Sequence, residues 1–131
     1  VKRLAHLGIK AHYVGEITEP AIQKGDLLIV GSGSGMTYFP AGIAKKAHDA
    51  GARIVHIGSN PNSSLKDIAA FMVRIPVRTK YYLEDEIDSA QPMTSLFEQS
   101  LLLLGDIVAK MIIERKQLDL KELWQYHANL E

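Results

Sequence analysis

Two short aliphatic runs constrain this chain more than anything else in it. Asp26-Leu27-Leu28-Ile29-Val30 and Arg53-Ile54-Val55-His56-Ile57-Gly58 are each the length of a strand, and neither alternates apolar with polar residues. Continuous runs of this kind belong to strands buried on both faces. Between them, Ile43, Ala44, Ala47 and Ala50 recur at helical spacing, and Gly51 ends the pattern. A strand, a helix and a second strand in that order make a parallel crossover unit, so the expected class is α/β, a three-layer αβα sandwich around a parallel sheet.

The remaining segments fit around that unit. Val1, Leu4, Ala5 and Leu7 read as the last turns of a helix stopped by Gly8, and Ile9 to Gly15 reads as a strand. A polar stretch through Glu16 and Pro20 leads to a turn of helix ending at Lys24. Beyond the loop Ser59 to Ser63, a short helix from Ser64 to Ala70 precedes a strand from Phe71 to Pro76. The charged stretch Lys80 to Asp88 reads as a loop or a solvated helix edge. A long helix follows from Pro92 to Lys116, then a short one from Asp119 to His127. The chain is expected to be one domain spanning residues 1–131.

Composition removes several classes of function. Fifteen basic and fifteen acidic side chains cancel, which leaves no broad basic face for gripping nucleic acid. Cysteine is absent, so there are no disulfides, thiolate metal sites or cysteine nucleophiles, as suits a reducing cytoplasm. The most apolar stretch, Ser100 to Ile113, is broken by Gly105-Asp106 and carries Lys110. It is too short and too charged to cross roughly 30 Å of hydrocarbon. Neither a nucleic-acid partner nor a membrane is expected.

The chemistry concentrates at the exit of the first aliphatic run. Gly31-Ser32-Gly33-Ser34-Gly35-Met36-Thr37 joins that strand to the next helix, where ligands of parallel sheets sit. The glycines permit close backbone approach, the helix start offers free amides, and Ser32, Ser34 and Thr37 add hydroxyl donors without charge. The segment suits a small dianion such as a phosphate monoester; a plain serine-capped turn is the other reading. A dinucleotide fingerprint fails because Met36 stands at the small position and Ser59-Asn60 where an acid is needed. A nucleotide P-loop fails because no Gly-Lys-Ser/Thr occurs.

The pattern Ser-x-Ser-Gly-x-Thr over Ser32 to Thr37 resembles the sugar isomerase (SIS) domain family, a flavodoxin-like fold whose loop binds sugar phosphates. Gly58 to Ser64 resembles the family's second loop. Arg3 to Gly8, Val14 to Pro20, Pro92 to Ser100 and the terminal His127-Ala128-Asn129-Leu130-Glu131 are similar to one branch, the 6-phospho-3-hexuloisomerases. The likeness covers essentially the whole chain. It departs at Met36, where the family usually has Glu, and at the start, where the family's N-terminal helix and first strand are expected to be lacking.

The resemblance implies interconversion of D-arabino-3-hexulose 6-phosphate and fructose 6-phosphate through an enediolate, in the ribulose monophosphate pathway, with no metal and no organic cofactor. It implies a cytoplasmic homo-oligomer, a tetramer by likeness. Glu98 is then the proton acceptor, its basicity raised by the apolar Leu96, Phe97 and Leu101 to Leu104. His6 is the second catalytic group, with His127 competing for that role. Ser32, Gly33, Ser34, Gly35, Met36 and Thr37 hold the phosphate, and Ser59 and Asn60 contact sugar hydroxyls or close the pocket. A non-catalytic sugar phosphate sensor, another use of SIS modules, is the alternative.

Overall fold

The two aliphatic runs form neighbouring strands. In a computed structural model describing residues 1–130, β1 (Leu27–Gly31) pairs in parallel with β2 (Arg53–Gly58), from Leu27 opposite Arg53 to Gly31 opposite Ile57. On its other side β2 pairs in parallel with β3 (Ala69–Arg74), with an irregularity between Ile54 and Val55. The sheet order is β1-β2-β3. The crossover between β1 and β2 is α2 (Tyr38–Asp49), which follows α1 (Lys2–His6) in chain order. The expected α/β class with a parallel sheet is therefore observed.

Backbone contacts divide the chain into two compact units, Ala21–Leu101 and Val1–Pro20 with Leu102–Glu131. The first holds the sheet. Its core is Val30, Ala44, Ala47, Ala52, Ile54 and Leu65, with Leu28, Ala41 and Ile68 packed against it. Alanines on the inner face of α2 let the helix lie close on the strands, and the apolar area removed from water drives the packing. Burial on both faces holds for the central β2, whose Ile54, Val55 and His56 are all buried. It does not hold for β1. Leu28 and Val30 face the core, whereas Leu27 and Ile29 alternate with them onto the opposite face of the sheet and are half exposed.

Three further expectations are corrected. Ile9 to Gly15 forms no strand. It has no ladder partner, and its polar groups close local turns instead: Glu16 N–H donates to the Tyr13 carbonyl at 3.2 Å, and Gly15 N–H to Glu19 Oε2 at 2.7 Å. The segment ending at Lys24 is a turn tied by Asp26, whose Oδ2 accepts the Gln23 N–H at 2.8 Å. Ser64 to Ala70 is a succession of turns, with Lys66 N–H bonded to the Ser63 carbonyl at 3.1 Å and Ile68 N–H to Leu65 at 3.2 Å. Strand β3 begins at Ala69, earlier than Phe71, and leaves too few residues for a helix.

The second unit contains α1, most of α3 (Ser95–Lys116) and a terminal 3-10 helix, Glu122–Tyr126. Helix α3 starts three residues later than expected, since Ser95 N–H is still bonded to the Pro92 carbonyl at 3.2 Å. Gly8 ends α1 with φ +69°, and the Tyr126 ring lies where a Cβ would stand. Arg3 pairs with Asp106 at 2.8 Å. Among the described residues no helix is long and apolar enough to cross a membrane.

Candidate active site

The exit of β1 is a closed loop whose polar groups divide into used and unused donors. From Ser32 to Gly35 it is buried, and it opens to solvent at Met36 and Thr37. Ser32 Oγ accepts the Gly35 N–H at 3.2 Å and Ser34 Oγ accepts the Met36 N–H at 3.3 Å. Each hydroxyl thus acts as an acceptor within the loop, and its own hydrogen remains for a ligand. Thr37 is the N-cap of α2 but makes no side-chain cap bond, so its hydroxyl is uncommitted too. With the amides at the start of α2, these groups form a neutral cradle for an anion. Gly35 is required here. Its φ is +61°, and a Cβ would stand 2.4 Å from Ser63 Cβ.

The cradle is fastened from beneath by the end of β2. His56, buried within the sheet, donates from Nε2 to the Ser32 carbonyl at 2.8 Å. A carbonyl can only accept, which assigns the proton to that nitrogen. Ser59 and Asn60 N–H both donate to the Gly33 carbonyl, at 2.8 and 3.1 Å. Asn60 Nδ2 donates to the Ser34 carbonyl at 3.2 Å, while its Oδ1 accepts the Asn62 N–H at 3.0 Å in an Asx turn.

A carboxylate the sequence left among solvated charges completes the arrangement. Glu86 Oε1 accepts from Ser59 Oγ at 2.7 Å and from Thr79 Oγ1 at 2.9 Å. Its Oε2 accepts the amides of Thr79 at 2.9 Å and Leu83 at 3.0 Å. Partial burial pushes the Glu86 carboxyl up, but these donors outweigh it and hold the group below the ordinary glutamate range. Beside it, Arg74 donates from Nε to the Ser59 carbonyl at 2.8 Å and forms a two-point pair with Asp85 at 2.6 and 2.8 Å. The Arg74 guanidinium holds the Asp85 carboxyl below its usual range.

No family model matches the chain. It is 42% identical over 129 residues to the 3-hexulose-6-phosphate isomerase of Bacillus subtilis, spanning 98% of this chain and 70% of that protein. It is 42% identical over 129 residues to the 3-hexulose-6-phosphate isomerase of Mycobacterium gastri, covering 98% of this chain and 64% of that one. The chain belongs to the 3-hexulose-6-phosphate isomerase family. Among solved structures, a Methanococcus jannaschii protein whose structure infers that molecular function is 35% identical and superposes with a TM-score of 0.83, over 99% of this chain and 68% of that one. A Bacteroides fragilis protein described as a phosphosugar isomerase of capsule formation shares the fold, with a TM-score of 0.61 at 23% identity over 82% of this chain and 54% of that one.

Seen as a member of the 3-hexulose-6-phosphate isomerase family, the chain brings together some of the expected site residues and not others. Ser32 to Thr37 form the cradle. Ser59, expected to contact sugar hydroxyls or to close the pocket, is fully buried, with its amide, carbonyl and hydroxyl hydrogen all engaged by the protein. Asn60 bonds within the two loops, to the Ser34 carbonyl and the Asn62 N–H, in keeping with the second of those alternatives. Met36 is half exposed, and its Sδ accepts the Ser64 N–H at 3.1 Å.

Glu98, placed in the first turn of α3, is exposed and accepts from Thr94 Oγ1 at 3.0 Å. The apolar surround expected for it is not present, because its neighbour Phe97 turns inward against Gly33 instead. His6 and His127, read as competitors, share the second unit with ring centroids 5.1 Å apart, and Trp124 lies 5.3 Å from His127. Desolvation, then the charges of His127, Arg3 and Lys2, lowers the His6 imidazole below its ordinary value. His56 and Glu86 are the residues sequence reasoning missed. A histidine inside an aliphatic strand was the one legible signal for His56, and nothing distinguished Glu86 from Glu84 or Asp85.

Among the described residues no group of three or more His, Asp or Glu is arranged to hold a metal ion.

Proposed function

We propose that this chain, a single SIS domain, interconverts D-arabino-3-hexulose 6-phosphate and fructose 6-phosphate. Supporting this are the relatives at 42% identity that bear this activity in their names, together with a neutral anion cradle at the exit of β1. The phosphate is taken by the hydroxyls of Ser32, Ser34 and Thr37 and the amides at the start of α2. Gly33, Gly35 and Met36 contribute backbone. Held there, the sugar presents its second and third carbons to a base several atoms away.

The base we assign is Glu98. It removes the proton from the second carbon of the 3-ketose, and the electron pair forms the double bond of an enediolate as the third-carbon oxygen takes the charge. Return of a proton to the third carbon, with loss of the hydroxyl proton at the second, leaves fructose 6-phosphate. His6, reaching the site of a neighbouring subunit of the oligomer, is the group we assign to moving protons between the two oxygens. No metal or organic cofactor enters the scheme.

The exposed Leu103, Ile107 and Met111 recur every four residues along α3, which supports a symmetric homo-oligomer, a tetramer in our reading. Absence of cysteine agrees with the cytoplasmic location we propose.

A coupled assay following fructose 6-phosphate formation tests the proposal. Glu98→Gln is expected to lower kcat by about 10²- to 10⁴-fold, the usual contribution of a positioned base, with sugar phosphate binding retained. Full activity in that variant removes Glu98 from the mechanism. The exposure of Glu98 favours one other reading, a sugar phosphate sensor without turnover, and tight binding with no detectable turnover in the unaltered chain would establish it.

A further inference from the structure

We propose that Glu86 is a positioning residue for the phosphate cradle, acting on Gly33 through two separate arms. This rests on the reading that the phosphate lies on residues 32–37. The first arm runs from Glu86 Oε1 to the Ser59 hydroxyl at 2.7 Å, and Ser59 N–H in turn donates to the Gly33 carbonyl at 2.8 Å. The second runs to Thr79, held through both hydroxyl and amide at 2.9 Å. Thr79 Cγ2 lies 3.3 Å from the position a Cβ on Gly33 would occupy, with Phe97 at 3.6 Å from it. Gly33 is therefore pinned at its carbonyl by one arm and walled at its α-carbon by the other.

The bonding pattern also decides what Ser59 does. A hydroxyl has one hydrogen, and Ser59 donates it to Glu86. With no exposed surface and its carbonyl held by Arg74, Ser59 cannot donate to a phosphate oxygen. The anion is served by Ser32, Ser34 and Thr37, whose hydrogens are uncommitted, and Ser59 serves as a strut. Every lobe of the Glu86 carboxylate is filled by a protein donor, and its charge strengthens the bonds that shape the loop.

Because the action is geometric, the neutral isostere should preserve it. In Glu86→Gln the amide oxygen can still accept the Thr79 and Leu83 N–H groups, and the amide nitrogen can donate to the two hydroxyl oxygens. Glu86→Ala removes both arms; Ser59→Ala and Thr79→Val remove the hydroxyl of one arm each.

The experiment is calorimetric titration of each variant of the 131-residue chain with fructose 6-phosphate, reading affinity and stoichiometry separately. Expected for Glu86→Ala is a Kd about 10- to 100-fold weaker at unchanged stoichiometry, the range typical of outer-shell partners. Glu86→Gln should bind close to the unaltered chain, and the one-arm variants should fall between. A role in stability alone would give fewer binding sites with an unchanged Kd, and that result overturns the proposal. If Glu86→Ala does not fold, unchanged Kd in both one-arm variants overturns it equally. The double variant Ser34→Ala/Thr37→Ala separates the underlying reading. Weakened binding there with normal binding in Glu86→Ala rejects the positioning role alone. Unchanged binding in the double variant, or no binding by the unaltered chain, rejects the phosphate reading and the proposal with it.

Discussion

Replacing Gly58 with alanine should damage the cradle from below, and the structure allows the cost to be worked out. A Cβ at this position would stand 2.3 Å from His56 Nε2 and 2.4 Å from the Ser32 carbonyl oxygen. Those two atoms are themselves hydrogen-bonded at 2.8 Å, so the new methyl would be driven into the space beside an existing bond. The Ser32 oxygen is backbone and cannot swing aside. Room can be made only by separating β2 from the loop, which also strains the Ser32 N–H bond to the Ile57 carbonyl at 2.9 Å.

Overpacking of this kind costs about 1–3 kcal/mol, and leaving a buried donor or acceptor unpaired costs about 1–3 kcal/mol more. The expected loss is thus about 2–6 kcal/mol, a large share of the roughly 5–15 kcal/mol that holds a typical domain folded. Urea unfolding followed by circular dichroism measures it, and titration with fructose 6-phosphate reports the distortion of the loop. A loss below about 0.5 kcal/mol, the level of an ordinary surface change, together with unaltered affinity, would refute the close contact on which the reasoning depends.

The opposite sign is expected at Gly42, on the exposed side of α2, where an added Cβ meets nothing within 4 Å. Gly42→Ala should stabilise the chain by about 0.5–1 kcal/mol in the same urea assay, and no gain would place α2 differently. His6 should titrate below its ordinary 6.5 by proton NMR, since desolvation leads the causes and His127 adds repulsion. As a base depressed in the folded state, it stabilises above that ordinary value, and the contribution fades as pH falls through the folded one. His127→Gln should move its midpoint upward, and a midpoint at or above 6.5 in the unaltered chain contradicts the packing. Glu86 has the depressed carboxyl pattern: its contribution is present above the ordinary glutamate range and is lost as pH falls through the lowered value. Urea midpoints measured against pH should therefore drop more steeply on acidification in the unaltered chain than in Glu86→Gln.

What the sequence revealed was set by local patterning. The aliphatic runs of β1 and β2, the spacing of Ile43, Ala44 and Ala47, and the glycine-hydroxyl loop each carry their own period or composition, so they could be placed directly. Ile9 to Gly15 has strand-like residues, but a strand needs a neighbour to share its amides with, and none is supplied there. Ser64 to Ala70 failed for lack of length once β3 began at Ala69. The donors around Glu86 come from residues 59, 79 and 83, a convergence created by folding with no counterpart in linear spacing. Glu98 was placed correctly on the chain. Its surroundings were not foreseeable, because Phe97 and Glu98 point to different sides of one helical turn and the sequence does not say which side is inward.

Among the described residues no lysine or arginine is hydrogen-bonded to the loop from Gly31 to Thr37. An anion held there is gripped by oriented dipoles, whose pull falls off over a few ångströms and is little screened by dissolved ions. Recognition then turns on the tetrahedral shape of the guest and the count of its lone pairs. A site of that design is expected to select small anions by shape and to hold them with little dependence on salt.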